Sequence, residues 1–398
     1  MLINSFKVSA ATTDITNMVM GMTFFESING MLQGTIQMLD GQNFFDQVIG
    51  YHDQLVPVNI EFTVLSQPFS MIFMIDGINQ MKIFKSEKSY IMHLISTEEF
   101  NLRVNDVNAV FNSTAEEVVK GIYEGNVGDG NKLIINSMST TKGKYIVPNI
   151  PAIEAIANAT YVAIDAERTG FYFYQRLWDE GTCRFASLYT MSRDFHKNLL
   201  GKRLVIENRD TTLTDLDDGN ITPEGAASVF ELDEYRMDHT IKLQRGEFGH
   251  KIHDIELDKT NLKKNEALAG GSAIVTTRHK ISEFIYGRPI TIPPGPHSDE
   301  EPETYEQKSL FHDVDSPNTQ AAINLRKRIY NNTISVSAMN PSPYLGCGQS
   351  VELKLGGANI SYSVSDGPYI ISDINHVFQN TDTGMQYVQN VKLLREYA

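Results

Sequence analysis

One hairpin is written twice in this chain, and that repetition limits the fold more than anything else in the sequence. "SMIFMIDGINQMKIF" covers Ser70 to Phe84, and "GPYIISDINHVFQN" covers Gly367 to Asn380. Each has a strand ahead of it and a return strand behind it. "DQLVPVNIEF" precedes Ile75 and "SYIMHLIS" follows it. "GQSVELKL" precedes Ile371 and "MQYVQNVKLL" follows it, so that Gln54 matches Gln349 and Tyr90 matches Tyr387. Three elements in the same order at nearly the same spacing point to a duplicated small β-domain.

The surrounding pattern agrees. In "GMLQGTIQMLD", Met31, Thr35 and Gln37 alternate with Leu32, Ile36 and Met38, and Val56, Val58, Ile60 and Phe62 share one strand face. Phe44, Phe45 and Val48 in "GQNFFDQVI" stand at helical spacing. Short strands at this density predict a small barrel for residues 1–105. The second copy is expected to be discontinuous, with "FELDEYRMDHTIKLQ" supplying its early strands and 333–394 its late ones.

Between the copies the periodicity changes. "NSTAEEVVKGIYEG" offers Ser113 with Glu116, or Thr114 with Glu117, as a helix-capping pair ahead of an apolar face of Val118, Val119 and Ile122. "IPAIEAIANATYVAID" places Pro151 at a helix start and Ile153, Ile156, Ala157, Tyr161 and Ile164 on one stripe. "FYFYQR" and "TCRFASLYTM" read as strands packed on those helices. "DSPNTQAAINLRKRIYNN" reads as a helix capped by Ser316, with Arg326, Lys327 and Arg328 toward its C-terminal end, where the helix dipole favours cations. The expected class is α+β, mainly β, with two similar small β-barrel domains and an α+β insert. The first barrel would be 1–105, the insert 106–205 with 250–330, and the second barrel 206–249 with 331–398.

The net charge is −15, which argues against a nucleic-acid-binding surface. Two stretches, Thr214–Asp238 at −7 and His297–Asp315 at −6, carry nearly all of it. They are solvated loops, or a surface facing a basic partner, or part of a channel that must not hold DNA. The two cysteines, Cys183 and Cys347, can form neither a disulfide framework nor a tetrahedral zinc site. The start "MLINSFKVSAATTD" lacks a signal-peptide pattern, and no run of about 18 apolar residues is present, so a soluble protein made in a cytoplasm is expected.

Signatures of chemistry are sparse. "TTKGKY" lacks the first glycine and the hydroxyl of a phosphate loop, and no nucleophile elbow occurs. His250, His253 and Asp254 form a metal set on paper only. Counting Asp215 as the first position of a calcium loop puts Ala226 where a glutamate is needed. Cys183 and Cys347 have no indicated base, and the aromatics of "FYFYQRLW" read as core. No catalytic, cofactor-binding or metal residues, and no cofactor, are expected.

The order of the segments adds a resemblance. "NGMLQGTIQMLDGQNFFD", "YIVPNIPAIEAIANATYVAID" with "FYFYQ", "NTQAAINLRKRIY" and "YIISDINHVFQNTDTGMQYVQNVKLL" follow one another as in the central baseplate hub proteins of contractile-tailed bacteriophages of the T-even type. The chain also resembles the hub portion of type VI secretion spike proteins, without their oligosaccharide-binding and β-helical regions. The resemblance implies a non-enzymatic homotrimer in the virion tail, assembled in the bacterial cytoplasm. Its six tail-tube-like domains would mimic the sixfold tube. The implied partners are the tail tube or its initiator, a trimeric spike or tail lysozyme, and baseplate wedge proteins, with DNA passing through the channel unbound. The acidic charge fits a lumen that must not trap DNA, without singling out Asp215, Asp217 or Asp218 as its lining. A tail-associated cell-wall hydrolase and a component of a related injection system are the alternatives; a tube or terminator protein fits less well, being about half this length.

Overall fold

A computed structural model describes residues 3, 5–50 and 56–193 apart from 65, 86, 129–131, 141 and 168. Beyond these it describes 205–207, 227–228, 231–236, 251–255, 274–278, 304–305, 332–339, 342–354 and 367–394 apart from 383. The fold is mainly β. The helix expected at 315–332 and most of both acidic stretches, including Asp215, Asp217 and Asp218, lie outside the described residues.

The first half begins with β1 (Ser5–Ala10), β2 (Thr13–Asp14), β3 (Val19–Ser27) and β4 (Gln33–Asp40). It continues with β5 (Pro57–Val64), β6 (Gln67–Ile83) and β7 (Lys88–Ser96). Alternation puts Leu32, Ile36, Met38, Val56, Val58, Ile60 and Phe62 in one buried cluster, as their spacing requires. Met31 points the other way and is buried too, in the core of the insert. The short helical turn at Phe45–Ile49 is held by Asp40, whose carboxylate accepts from the backbone N–H of Gln42, Phe44 and Phe45.

The chain continues with α1 (Thr97–Val104), and the segment expected as the insert follows with β8 (Asp106–Thr114), α2 (Ala115–Val127), β9 (Leu133–Ile135) and β10 (Lys142–Pro151). After them come α3 (Ala152–Val162), β11 (Phe171–Gln175), β12 (Cys183–Ser187) and α4 (Leu188–Arg193). Ser96 caps α1 by accepting from Glu99 N–H, and at α2 the Thr114–Glu117 pair is the one used, Glu117 accepting from Thr114 N–H at 3.2 Å. Val118, Val119 and Ile122 are buried as expected. The stripe of α3 is rotated from the expected one. Ala152, Ala155, Ile156, Ala159 and Val162 are buried, whereas Tyr161 is exposed. Pro151 is the residue that caps the helix rather than its first residue. All five residues of β11 are buried, because the strand is covered on both faces. Phe171 and Phe173 enter the insert core, and Tyr172 and Tyr174 pack with Ile28, Cys347 and Ile370.

The second half adds β13 (Val205–Glu207), β14 (Ala227–Ser228) and β15 (Glu231–Arg236). A separate three-stranded sheet contains β16 (Lys251–Ile255), β17 (Ile274–Arg278) and β18 (Thr304–Tyr305). The chain then runs through β19 (Asn332–Met339), β20 (Ser350–Lys354), β21 (Gly367–Thr381) and β22 (Gly384–Leu394).

The two halves repeat one strand order. The first runs β3-β4-β7-β6-β5 and the second β15-β19-β22-β21-β20, with every neighbour antiparallel. Ile75 pairs with Leu94 and Ile371 with Leu393. A bulge follows at once in each, at Asp76 and at Ser372. The N–H of Ile75 bonds Val56 O at 3.3 Å, and that of Ile371 bonds Gln349 O at 2.9 Å. The match of Ile75–Asn79 with Ile371–Asn375 thus survives in register, bulge and hydrogen bonding.

Other alignments shift. Gln349 is the counterpart of Val56 rather than Gln54, and Tyr90 corresponds to Gln389 rather than Tyr387. The counterpart of β4 is β19, across the long insertion, not the end of "FELDEYRMDHTIKLQ". The copies also diverge at the rim, where β1 joins β5 antiparallel but β13 joins β20 parallel.

Two separately closed barrels were expected. Among the described residues the strands of both halves instead form one 14-stranded sheet, with no closed barrel. The physical reason is the length of β21. Its first residues pair with β20, and its remainder runs past that partner and pairs with β3 of the first half.

Candidate functional site

The contact between the halves carries a buried polar network. β21 and β3 pair antiparallel from Asp373 with Ser27 to Gln379 with Gly21. The far end of the β21–β22 hairpin thereby enters the first half's core. Phe378 stacks on Tyr387 with centroids 4.3 Å apart and planes at 2°. It also meets Phe62 at 4.9 Å and Phe24 at 5.8 Å. Each such pair contributes roughly 0.5–1.5 kcal/mol beyond its buried area. Trp178, from the loop after β11, closes the cluster against Phe62 and Phe69.

Beside this cluster Glu26 is fully buried. Strand alternation puts it on the buried face with Met22 and Phe24, and three chain segments converge on it. Its Oε1 accepts from Leu177 N–H at 2.6 Å and from His376 Nε2 at 3.0 Å, and its Oε2 accepts from Cys347 N–H at 3.0 Å. His376 Nδ1 lies 2.7 Å from Tyr387 Oη, and Gln389 Nε2 donates to the same oxygen at 2.9 Å. With Gln389 donating, Tyr387 donates to Nδ1, which assigns the His376 proton to Nε2, facing Glu26. Gln389 further exchanges two bonds with the backbone of Ser342. Arg176 Nε donates to Cys347 O at 2.7 Å. First half, insert and second half are tied at one carboxylate. Backbone donors saturate it, so it is a structural clamp rather than an acid or base open to a substrate.

The candidates raised by the sequence fall elsewhere. Cys183 is buried in β12, and Cys347 is buried at the clamp. Burial pushes both thiols up, Cys347 further under the influence of Glu26, which keeps them protonated and unreactive. His253 and Asp254 lie in β16 opposite Thr276 and Val275, and His250 lies outside the described residues. Among the described residues no group of three or more His, Cys, Asp or Glu is placed to hold a metal ion. No helix among them is long and apolar enough to cross a membrane. Glu26 and His376 were not among the sequence candidates. Their signal is weak, an acid and a histidine at positions of β3 and β21 that alternation assigns to a buried face.

The fold has relatives among solved structures. The tail protein from Neisseria meningitidis MC58 superposes with a TM-score of 0.58 at 9% identity, over 98% of this chain and 97% of that one. The 43 kDa tail protein of prophage MuSo2 from Shewanella oneidensis does so with 0.56 at 11% identity, over 98% of each. The E. coli c3393 protein, a component of the type VI secretion system, gives 0.49 at 10% identity, with 76% of its length covered. No family model and no curated protein matches the sequence.

Proposed function

We propose that the chain is the structural hub of a contractile phage tail baseplate. In this reading three copies form a ring whose six β-units adapt a sixfold tail tube to a threefold spike and leave a channel for DNA. The observation that carries it is the doubled strand order, β3-β4-β7-β6-β5 and β15-β19-β22-β21-β20, joined edge to edge in one sheet. A chain with two like units reaches pseudo-sixfold symmetry with three copies, whereas one with a single unit needs six. The whole-length fold likeness to two tail proteins supports a tail role. In the ring each half would serve as one tube-like β-unit. The partners are the tail tube or its initiator, a spike and the surrounding wedge proteins, and the site of action is the virion tail. The role is structural rather than enzymatic, in keeping with the buried carboxylate of Glu26, which is committed to holding backbone.

Light scattering on the purified chain tests this. The expected mass is three times 44.7 kDa, alone or with the spike added. A monomer under both conditions would sink the proposal.

A further inference from the structure

The internal seam has an open counterpart. β21 covers β3 because its outer half extends beyond β20. β6 is built the same way: Gln67–Met74 pairs with β5, and the outer part, from Gly77 to Ile83, pairs only with β7 among the described residues. Register places Ile83, paired with Lys88, where Phe378, paired with Tyr387, stands in the second half. The burial is opposite. Phe378 is 1% exposed, whereas Ile83 is 71% exposed and Phe84 and Met81 are 55% and 39% exposed. On the other side β3, whose edge is taken by β21, corresponds to β15, which pairs only with β19 among the described residues.

We propose that a second copy of this chain docks here, its β15 adding antiparallel to the outer part of β6 in the register of the seam. Transferring Met22–Phe378 and Thr23–Val377 through the repeat sets Leu232 opposite Ile83 and Asp233 opposite Lys82. Glu231 then faces Phe84, and Tyr235 faces Asn79. An apolar residue meets an apolar one and an acid meets a lysine, although neither match was used to set the register. The surroundings agree in net sign: the end of the β6–β7 hairpin carries Lys82, Lys85 and Lys88, the last paired with Asp46, against Glu87, and β15 carries Glu231, Asp233 and Glu234 against Arg236. The contact is head-to-tail, since each chain offers one hairpin and one edge, and such contacts propagate until a ring closes. That the ring closes at three rests on the hub reading; the choice of edges and register does not.

Thiol crosslinking tests the register. Cys183 and Cys347 are buried, so engineered thiols are the reactive ones. Ile83→Cys and Leu232→Cys are prepared singly and together, then oxidised or treated with a short bismaleimide. Neither single variant alone crosslinks, their mixture gives a covalent dimer, and the double variant gives a ladder ending at three chains. As a second measurement, Lys82→Glu or Asp233→Lys weakens self-association by roughly tenfold or more, and combining the two restores it. A trimer by light scattering with neither crosslink nor charge-swap rescue overturns the edge proposal and leaves the hub reading standing. Crosslinks in a ladder that does not stop at three support the edge and overturn the threefold ring. A chain monomeric at every concentration, with no crosslink, overturns the edge proposal.

Discussion

Glu26 and His376 stand 350 positions apart in the chain, yet Nε2 of the histidine lies 3.0 Å from the carboxylate and both side chains are fully buried. Removing the carboxylate leaves His376 and the N–H groups of Leu177 and Cys347 without an acceptor. Glu26→Ala should lower the unfolding free energy by about 3 kcal/mol or more, since three buried donors lose their acceptor at about 1–3 kcal/mol each. Glu26→Gln keeps one accepting oxygen and should lose about 1–3 kcal/mol. Urea unfolding followed by the fluorescence of Trp178, the single tryptophan, reads both. An alanine variant within 1 kcal/mol of wild type would refute the clamp.

Phe378 and Ile83 occupy equivalent positions in opposite surroundings. Phe378→Ala should cost about 3–5 kcal/mol through the cavity it leaves. Ile83→Ala should leave the unfolding free energy of the isolated chain within about 0.5 kcal/mol. The same denaturation series compares them, and equal losses would contradict the burial of one and the exposure of the other.

Gly348 follows Cys347 with φ at +73°, and an added Cβ would fall on the Tyr174 hydroxyl and ring. Gly348→Ala combines left-handed backbone with overpacking against a buried aromatic and should cost about 2 kcal/mol or more. Gly30, with nothing within 4 Å of its would-be Cβ, is the control, and Gly30→Ala should be close to neutral. Thermal melts of the pair check the contrast.

Glu99 sits at the first turn of α1, and burial raises its pKa above the ordinary 4.5, outweighing the opposing effect of Arg103. The folded state therefore holds this proton more tightly than the unfolded state does. Ionisation costs stability as pH rises from the ordinary value through the raised one, and the cost is complete above that. Between about pH 4 and about pH 7 the stability of Glu99→Gln relative to wild type should increase. Chemical denaturation at the two pH values measures it, and a change of opposite sign would show that the Arg103 pairing dominates.

Local periodicity made the repeated hairpin readable, because Ile75, Ile78, Ile371 and Ile374 recur in strands whose faces are set by alternation. It sets Tyr90 against Tyr387 because the second hairpin runs on past Phe378 and Tyr387 to Thr381 and Gly384, whereas the first ends just beyond Ile83 and Lys88, a difference of length that alternation does not register. The α3 stripe was misassigned because Tyr161 is apolar enough to fit either face, and only the packing decides. The seam was not readable. Pairing between β3 and β21 depends on β21 outrunning β20, a difference of length that leaves no mark on alternation. Glu26 and His376 escaped for the same reason, since each becomes a buried polar residue only once the other arrives.

The dependence of the first half on β21 and β22 also orders events in time. Residues 5–96 leave the ribosome long before Phe378, Met385 and Tyr387 exist, yet those three belong to the first half's core. Until the late hairpin is made, β3 presents an unpaired edge and the Phe24–Phe62 cluster lacks its cover. A translation product that stops short of residue 367 thus keeps an unfinished core, and its exposed apolar surface marks it for chaperones and proteases. Joining the halves through the last-made strands gives the molecule a test of its own completeness.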